Sequence, residues 1–304
     1  MRAPVPILAL ALGSCALRGL ALQGVSEALS GSAQAFATEE DPELVRDALP
    51  FALKATEAVL AEDPSNAGLL LSATSGFTQY AYAFVEGDAD RIEREDYPRA
   101  SVLRERALRL YLRARDYGLR GLEVRHAGIA ADLRLDPRRA VAILREEDVP
   151  LAYWTGAAWG LAISAGLDRP EIAADVDAVR ALFVRCLELD EDYGDGTVHE
   201  ALISVEALPA AMGGSIARAR DHFQRALDLS RGKHAGPYVT FARSVAVAEQ
   251  DRAQFERLLS AALAIDLHAD PHAVLANRLA QDQARFLLET ADELFVAPPE
   301  SEPE

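Results

Sequence analysis

The chain has 304 residues, half of them hydrophobic and 7% aromatic, with a formal net charge of −17. A chain of this length builds one large domain or two, and its Ala- and Leu-rich, aromatic-poor composition favours helices packed through small and aliphatic side chains. The acidic balance argues against nucleic acid as a partner, because phosphate binding needs clustered cations, and the basic runs Arg104 to Arg115 and Arg134 to Arg139 are interleaved with apolar positions or answered by acids.

The chain opens with Met1-Arg2, an apolar stretch from Pro4 to Leu12, then Gly13-Ser14-Cys15. That layout predicts a secretory signal over residues 1–14. The stretch is shorter than the roughly 20 apolar residues needed to span a bilayer as a helix. Leu12 to Cys15 resembles the lipobox of bacterial lipoproteins, in which the cysteine thiol carries a diacylglycerol, and several acyl chains anchor a protein stably where one does not. A plain cleaved signal with Cys15 incidental is the other reading. Residues 15–40 are expected to form a lipid-anchored tether or short helix, 41–297 a helical domain, and the Pro- and Glu-rich residues 298–304 a disordered tail.

Helical signals follow in order. Asp41-Pro42-Glu43 supplies a cap and a first-turn proline, with Leu44, Ala48, Phe51, Ala55 and Ala58 expected on one apolar face up to Asp63-Pro64. A second helix over Ser65 to Val85 places Phe77, Tyr80 and Phe84 on one side and Tyr82 on another. Further helices are predicted from Tyr97 to Glu123, from Asp136-Pro137 to Arg145, and from Pro150 to near Gly166.

In the C-terminal half, Cys186 to Asp190, Ala226 to Ser230 and Ala262 to Asp266 recur as amphipathic helix ends. Leu187 to Leu227 spans 40 residues and Leu227 to Leu263 spans 36, near the roughly 34 of tetratricopeptide repeats. The predicted fold is therefore all-α, with irregular tetratricopeptide-like helix pairs stacked so that neighbours bury each other's apolar faces. Pro271 to Phe295 is the last expected long helix.

Chemistry-bearing patterns are sparse. His199-Glu200 lacks the second histidine of a zinc helix, since position 203 is Ile, and His126, His222, His234, His268 and His272 show no ligand spacing, so no metal or cofactor is expected. There is no nucleophile elbow or phosphate loop. Gly213-Gly214 reads as a left-handed turn between helices, and Cys186, on an apolar stripe, as core. Tyr80, Tyr82, Tyr153, Trp154 and Trp159 either fill core or line a pocket. Asn277 and Gln281 either orient a ligand or bond to helix ends of a neighbouring repeat.

Taken in order, Asp47 to Lys54, Ser75 to Val85, Tyr111 to Gly118, Tyr153-Trp154 with Ala158-Trp159-Gly160, Asp192-Tyr193-Gly194, Gly213-Gly214, Pro237, Phe255 with Leu258-Leu259, and Asn277 with Ala280-Gln281 resemble the T component, TatT, of tripartite ATP-independent periplasmic (TRAP) transporters. The resemblance implies a non-enzymatic periplasmic lipoprotein that forms a homotrimer with a pore through each subunit and associates with a periplasmic solute-binding protein. Ala16, rather than Asp, after the lipidated cysteine implies the outer membrane. The expected function is that of a scaffold and a conduit for a small hydrophobic or organic-acid ligand. A generic envelope adaptor that handles no ligand is the alternative, and an envelope hydrolase a third.

Overall fold

The computed structural model describes residues 36–296. Cys15, the signal over residues 1–14, the tether as far as residue 35, and the tail over residues 298–304 lie outside the described residues. Every regular element among the described residues is helical.

Helix α1 (Pro42–Glu62) starts where predicted, with the Asp41 carboxylate accepting the Glu43 and Leu44 amides, and it ends against Asp63 and Pro64. Its buried stripe is Val45, Leu49, Leu53, Thr56 and Leu60. This corrects the predicted face: Leu44 and Phe51 are 56% and 80% exposed. The aliphatic spacing 45, 49, 53, 60 covers more contiguous apolar area than the alternative face, where Ala48, Ala55 and Ala58 offer little.

The second helix runs further than its sequence suggests. Helix α2 (Ala67–Tyr80), capped by Asn66, passes without interruption through a π turn (Ala81–Glu86) into α3 (Gly87–Ile92). Phe77 and Phe84 are buried with α1, and Tyr80 packs beside them, as their spacing predicts. Helix α4 (Tyr97–Arg125) crosses α2 closely at Gly118, where a Cβ would strike Thr155 and Thr74. Its arginines meet acids: Arg104 holds Asp90 and Glu93, and Arg113 lies 3.5 Å from Glu57.

Beyond α4, the chain forms α5 (Ile129–Leu135), which the sequence did not announce, and α6 (Pro137–Val141), shorter than the predicted helix to Arg145. Helix α7 (Val149–Ala165) is apolar all round and lies inside, so its residues join the largest core, which also takes in Leu108, Leu122, Phe183 and Leu202. After α8 (Pro170–Ala173), helices α9 (Val176–Leu189), α11 (Ile216–Leu229) and α13 (Arg252–Leu263) end at the three recurrent leucine motifs. Each is followed by a second helix: α10 (Thr197–Glu206), α12 (Gly236–Phe241) with a second π turn (Ala242–Ala246), and α14 (Val274–Glu289). The last predicted helix is thus two pieces, since α14 stops at Thr290 and a short α15 (Ala291–Leu294) follows. Among the described residues, no helix is long and apolar enough to cross a membrane.

The chain closes on itself. Leu275 and Leu279 of α14 pack into the cluster of α1 and α2 that holds Leu49, Leu53 and Phe77. Tyr82 and Gln283, 201 positions apart, are hydrogen-bonded. First and last long helices therefore meet, and the elements between them form a ring.

Candidate functional site

A π turn adds one residue to a helical turn, at some cost in hydrogen-bond geometry, and often marks a functional position. Two π turns occur among the described residues, and they bring polar side chains together. In the first, the Gly87 amide reaches back five residues to the Tyr82 carbonyl, and the turn carries Tyr82 and Glu86. In the second, the Val247 amide reaches the Ala242 carbonyl, and the turn carries Arg243.

These side chains meet. Arg243 Nη2 lies 3.5 Å from Glu86 Oε1. The Tyr111 hydroxyl of α4 donates to Glu86 Oε2 at 2.5 Å. The Tyr82 hydroxyl donates to Gln283 Oε1 at 3.2 Å. One turn before Arg243, the Thr240 hydroxyl donates to Glu200 Oε1 of α10 at 3.2 Å. The Tyr82 phenol feels Arg243, Glu86 and Glu200 together.

Two properties of the group combine in an unusual way. Tyr82 leaves 38% of its surface accessible and the Arg243 side chain 40%. Burial is nevertheless the largest influence on both, pushing the Tyr82 phenol up and working against the charge of Arg243, which Tyr82 and Glu86 restore. Both side chains are thus partly accessible yet closely flanked by protein, and the space between the two π turns, α4, α10 and α14 forms a chamber lined by these groups. Burial likewise raises the Glu200 carboxyl, with the Thr240 hydrogen bond and His234 opposing it, and raises the Tyr111 phenol well above its usual range, reinforced by Glu86.

The residues singled out from the sequence divide into two sets. Tyr82 stands in the chamber. Tyr153 is buried and lies within the field of Glu200, ringed by Trp154, Phe183 and Tyr193. Trp154 is half-buried at the edge of that aromatic group. Tyr80 packs on Phe84 under the Arg106 guanidinium. Trp159, in contrast, is fully buried in the core between Arg115 and Arg134. Asn277 accepts from the Ala235 amide and donates to the Lys233 carbonyl, and the Gln281 amide nitrogen donates to the carbonyls of Ala262 and Ile265. Of the two readings left open for these amides, the structure takes helix-end capping, because a buried amide is held by the nearest free backbone groups.

Glu86, Tyr111, Arg243 and Gln283 were missed, and Glu200 was weighed only as half of a zinc motif. No local spacing marks them, since they come from five separate helices. The remaining expectations fall outside the chamber. Gly213 adopts φ +80° and ends a short 3-10 turn, and a Cβ on Gly214 would collide with the Leu208 carbonyl, so the pair forms the expected turn into α11. Cys186 is fully buried, and burial pushes its thiol to about 12.

His199 and His222 lie ring to ring, with Nδ1 atoms 2.8 Å apart, and burial lowers both. Asp195, His234 and Asp270 bring one donor atom each to within 4.8 Å of one another, a set able to hold a cation. A recess of about 700 Å³ is lined by α1, the first π turn, α3 and α14; its charges include the pairs Arg46 with Asp88 and Arg285 with Asp282.

The profile of a family described as TRAP transporter T-component matches residues 38–295, nearly all of the described ring. The chain belongs to that family. A T-component fold thus spans α1 to α15 without a break. The chain is also 28% identical to an uncharacterized protein of Treponema pallidum (strain Nichols) over 266 residues, covering 86% of this chain and 82% of that one.

Proposed function

We propose that this T-component is a lipid-anchored lipoprotein on the periplasmic face of the outer membrane, which takes up a small ligand in its internal chamber and works beside the solute-binding protein of a TRAP transporter. The observation that carries the ligand-handling part is the chamber itself: Tyr82 and Arg243, accessible but enclosed, brought together by two π turns. Polar side chains at the wall of an enclosed space fit recognition of a ligand better than they fit packing, where an apolar group would be cheaper. The successive helix pairs α9–α10, α11–α12 and α13–α14, ending at repeated leucine motifs, support a tetratricopeptide-like array as the scaffold. Anchoring through Cys15 and assembly into a homotrimer rest on the lipobox and on the family resemblance.

The reading is non-catalytic: the chamber groups hold one another in hydrogen bonds and an ion pair and do not form a nucleophile with its base. Co-purification from cells bearing the full chain is expected to recover a periplasmic solute-binding protein. Exposure of the purified chain to cell extract should leave a small molecule bound, detected by native mass spectrometry. A chain that captures partner protein but never retains a small molecule would be an adaptor instead.

A further inference from the structure

The chamber wall leaves one strong donor only partly satisfied. Arg243 touches Glu86 through a single atom at 3.5 Å, and it makes no hydrogen bond to any described residue. Glu86, in contrast, has both oxygens engaged, one by Tyr111 and the other by Arg243. Gln283 accepts from Tyr82 through its Oε1, and its amide nitrogen has no described acceptor. A guanidinium is a rigid planar fork of five N–H groups that matches a carboxylate through two parallel bonds. Its Nη2 contact with Glu86 is too long to saturate that fork.

Resting on the reading of the chamber as a ligand site, we propose that Arg243 seats the carboxylate of a small organic monocarboxylate inside the ring, with Gln283 as the neighbouring donor. One carboxylate fits and a second does not. Arg243 is the guanidinium that acts on Tyr82, while Glu86 and Glu200 both lie in the field of Tyr82, and Asp90, held by Arg104 at 3.1 Å, adds to the same field at Arg243. A second anionic end would meet these carboxyls, and like charges brought together in an enclosed site repel strongly. Glu86 and Tyr111 act as positioning residues. Their contact fixes the guanidinium in place before a ligand arrives, so less conformational freedom is lost on binding.

The test is calorimetric titration and melting of the full chain purified in detergent, at fixed ionic strength, with butyrate, the isosteric neutral butyramide, and the dicarboxylate succinate. Butyrate is expected to bind and raise the melting temperature, butyramide and succinate to bind about tenfold or more weakly, and Arg243→Gln to weaken butyrate by a similar factor. Arg243→Lys keeps the charge opposite Glu86, and so the fold, but not the fork; it should bind butyrate several-fold more weakly than the native chain, whatever the stability of the Gln variant. Arg252→Gln, at an exposed ion pair of α13, should change nothing. Equal binding of butyrate and butyramide, or an Arg243→Lys chain that binds like the native one, would overturn the carboxylate seat while leaving the chamber a ligand site. Failure of butyrate to bind, or succinate binding as tightly as butyrate, would overturn the monocarboxylate seat, while the ligand-handling reading stands or falls separately on whether the chain retains any small molecule from cell extract.

Discussion

Glu206 shows how a single residue organises a turn. Its carboxylate is 4% accessible and receives Arg180 at 3.2 Å and Arg218 at 2.7 Å, while the same arginines donate to the Met212 and Gly213 carbonyls. Removing a buried carboxylate leaves its arginines without a counter-charge. Because Arg218 is half-exposed, the expected loss for Glu206→Ala is about 2–3 kcal/mol, read from urea unfolding. Tyr111→Phe should cost about 1.5–3 kcal/mol by the same measurement, since its buried hydroxyl donates to a carboxylate. Asp148 adds a dependence on acid. Burial opposes its charge, but the Arg145 amide, His126 and Arg125 outweigh that and hold the carboxyl below its ordinary value near 3.8. The fold then binds fewer protons than the unfolded chain in acid, so the contribution is complete above about pH 4 and is lost as pH falls through the folded value. Asp148→Asn should flatten the acid limb of the stability curve. At this scale the sequence was legible where one residue type has one common use, as for Cys186 in core. It was silent on Arg243, because an arginine on a helix looks the same whether it faces solvent or an enclosed space.

Helices show a similar division. Caps at Asp41, Asn66 and Asp96, and first-turn prolines at Pro42, Pro98, Pro137 and Pro150, set starts that can be read directly from residue order. The π turns could not be read that way, because an extra residue in a helical turn is fixed by packing against other helices and carries no composition of its own. The rotated stripe of α1 has the same origin, since tertiary contacts decided between two plausible faces. The His199–His222 contact joins α10 to α11, and burial lowers both rings. A histidine lowered below its unfolded value near 6.5 favours the neutral form in the fold, so stability is full above pH 6.5 and falls as acid charges the unfolded chain first. The protection factors of the α10 and α11 amides, corrected for the intrinsic pH dependence of exchange, should fall between pH 7 and 5, and His222→Gln should reduce that change.

At the scale of the whole molecule, the decisive contacts join α14 to α1 and α2. Leu275 and Leu279 seal the apolar side, and Tyr82 with Gln283 seals the polar one. The leucine period predicts helices that stack, but a period says nothing about where a stack ends, so closure into a ring was not legible. Leu275→Ala should cost about 2–4 kcal/mol in urea unfolding and loosen the join. A chamber inside the ring can be probed directly by thiol accessibility. Tyr82→Cys should react with a small methanethiosulfonate but not with a bulky maleimide-polyethylene glycol, while Leu135→Cys, at a position 83% exposed, should react with both and buried Cys186 with neither. Reaction of the Tyr82→Cys thiol with both reagents, or with neither, would contradict an enclosed, water-filled interior.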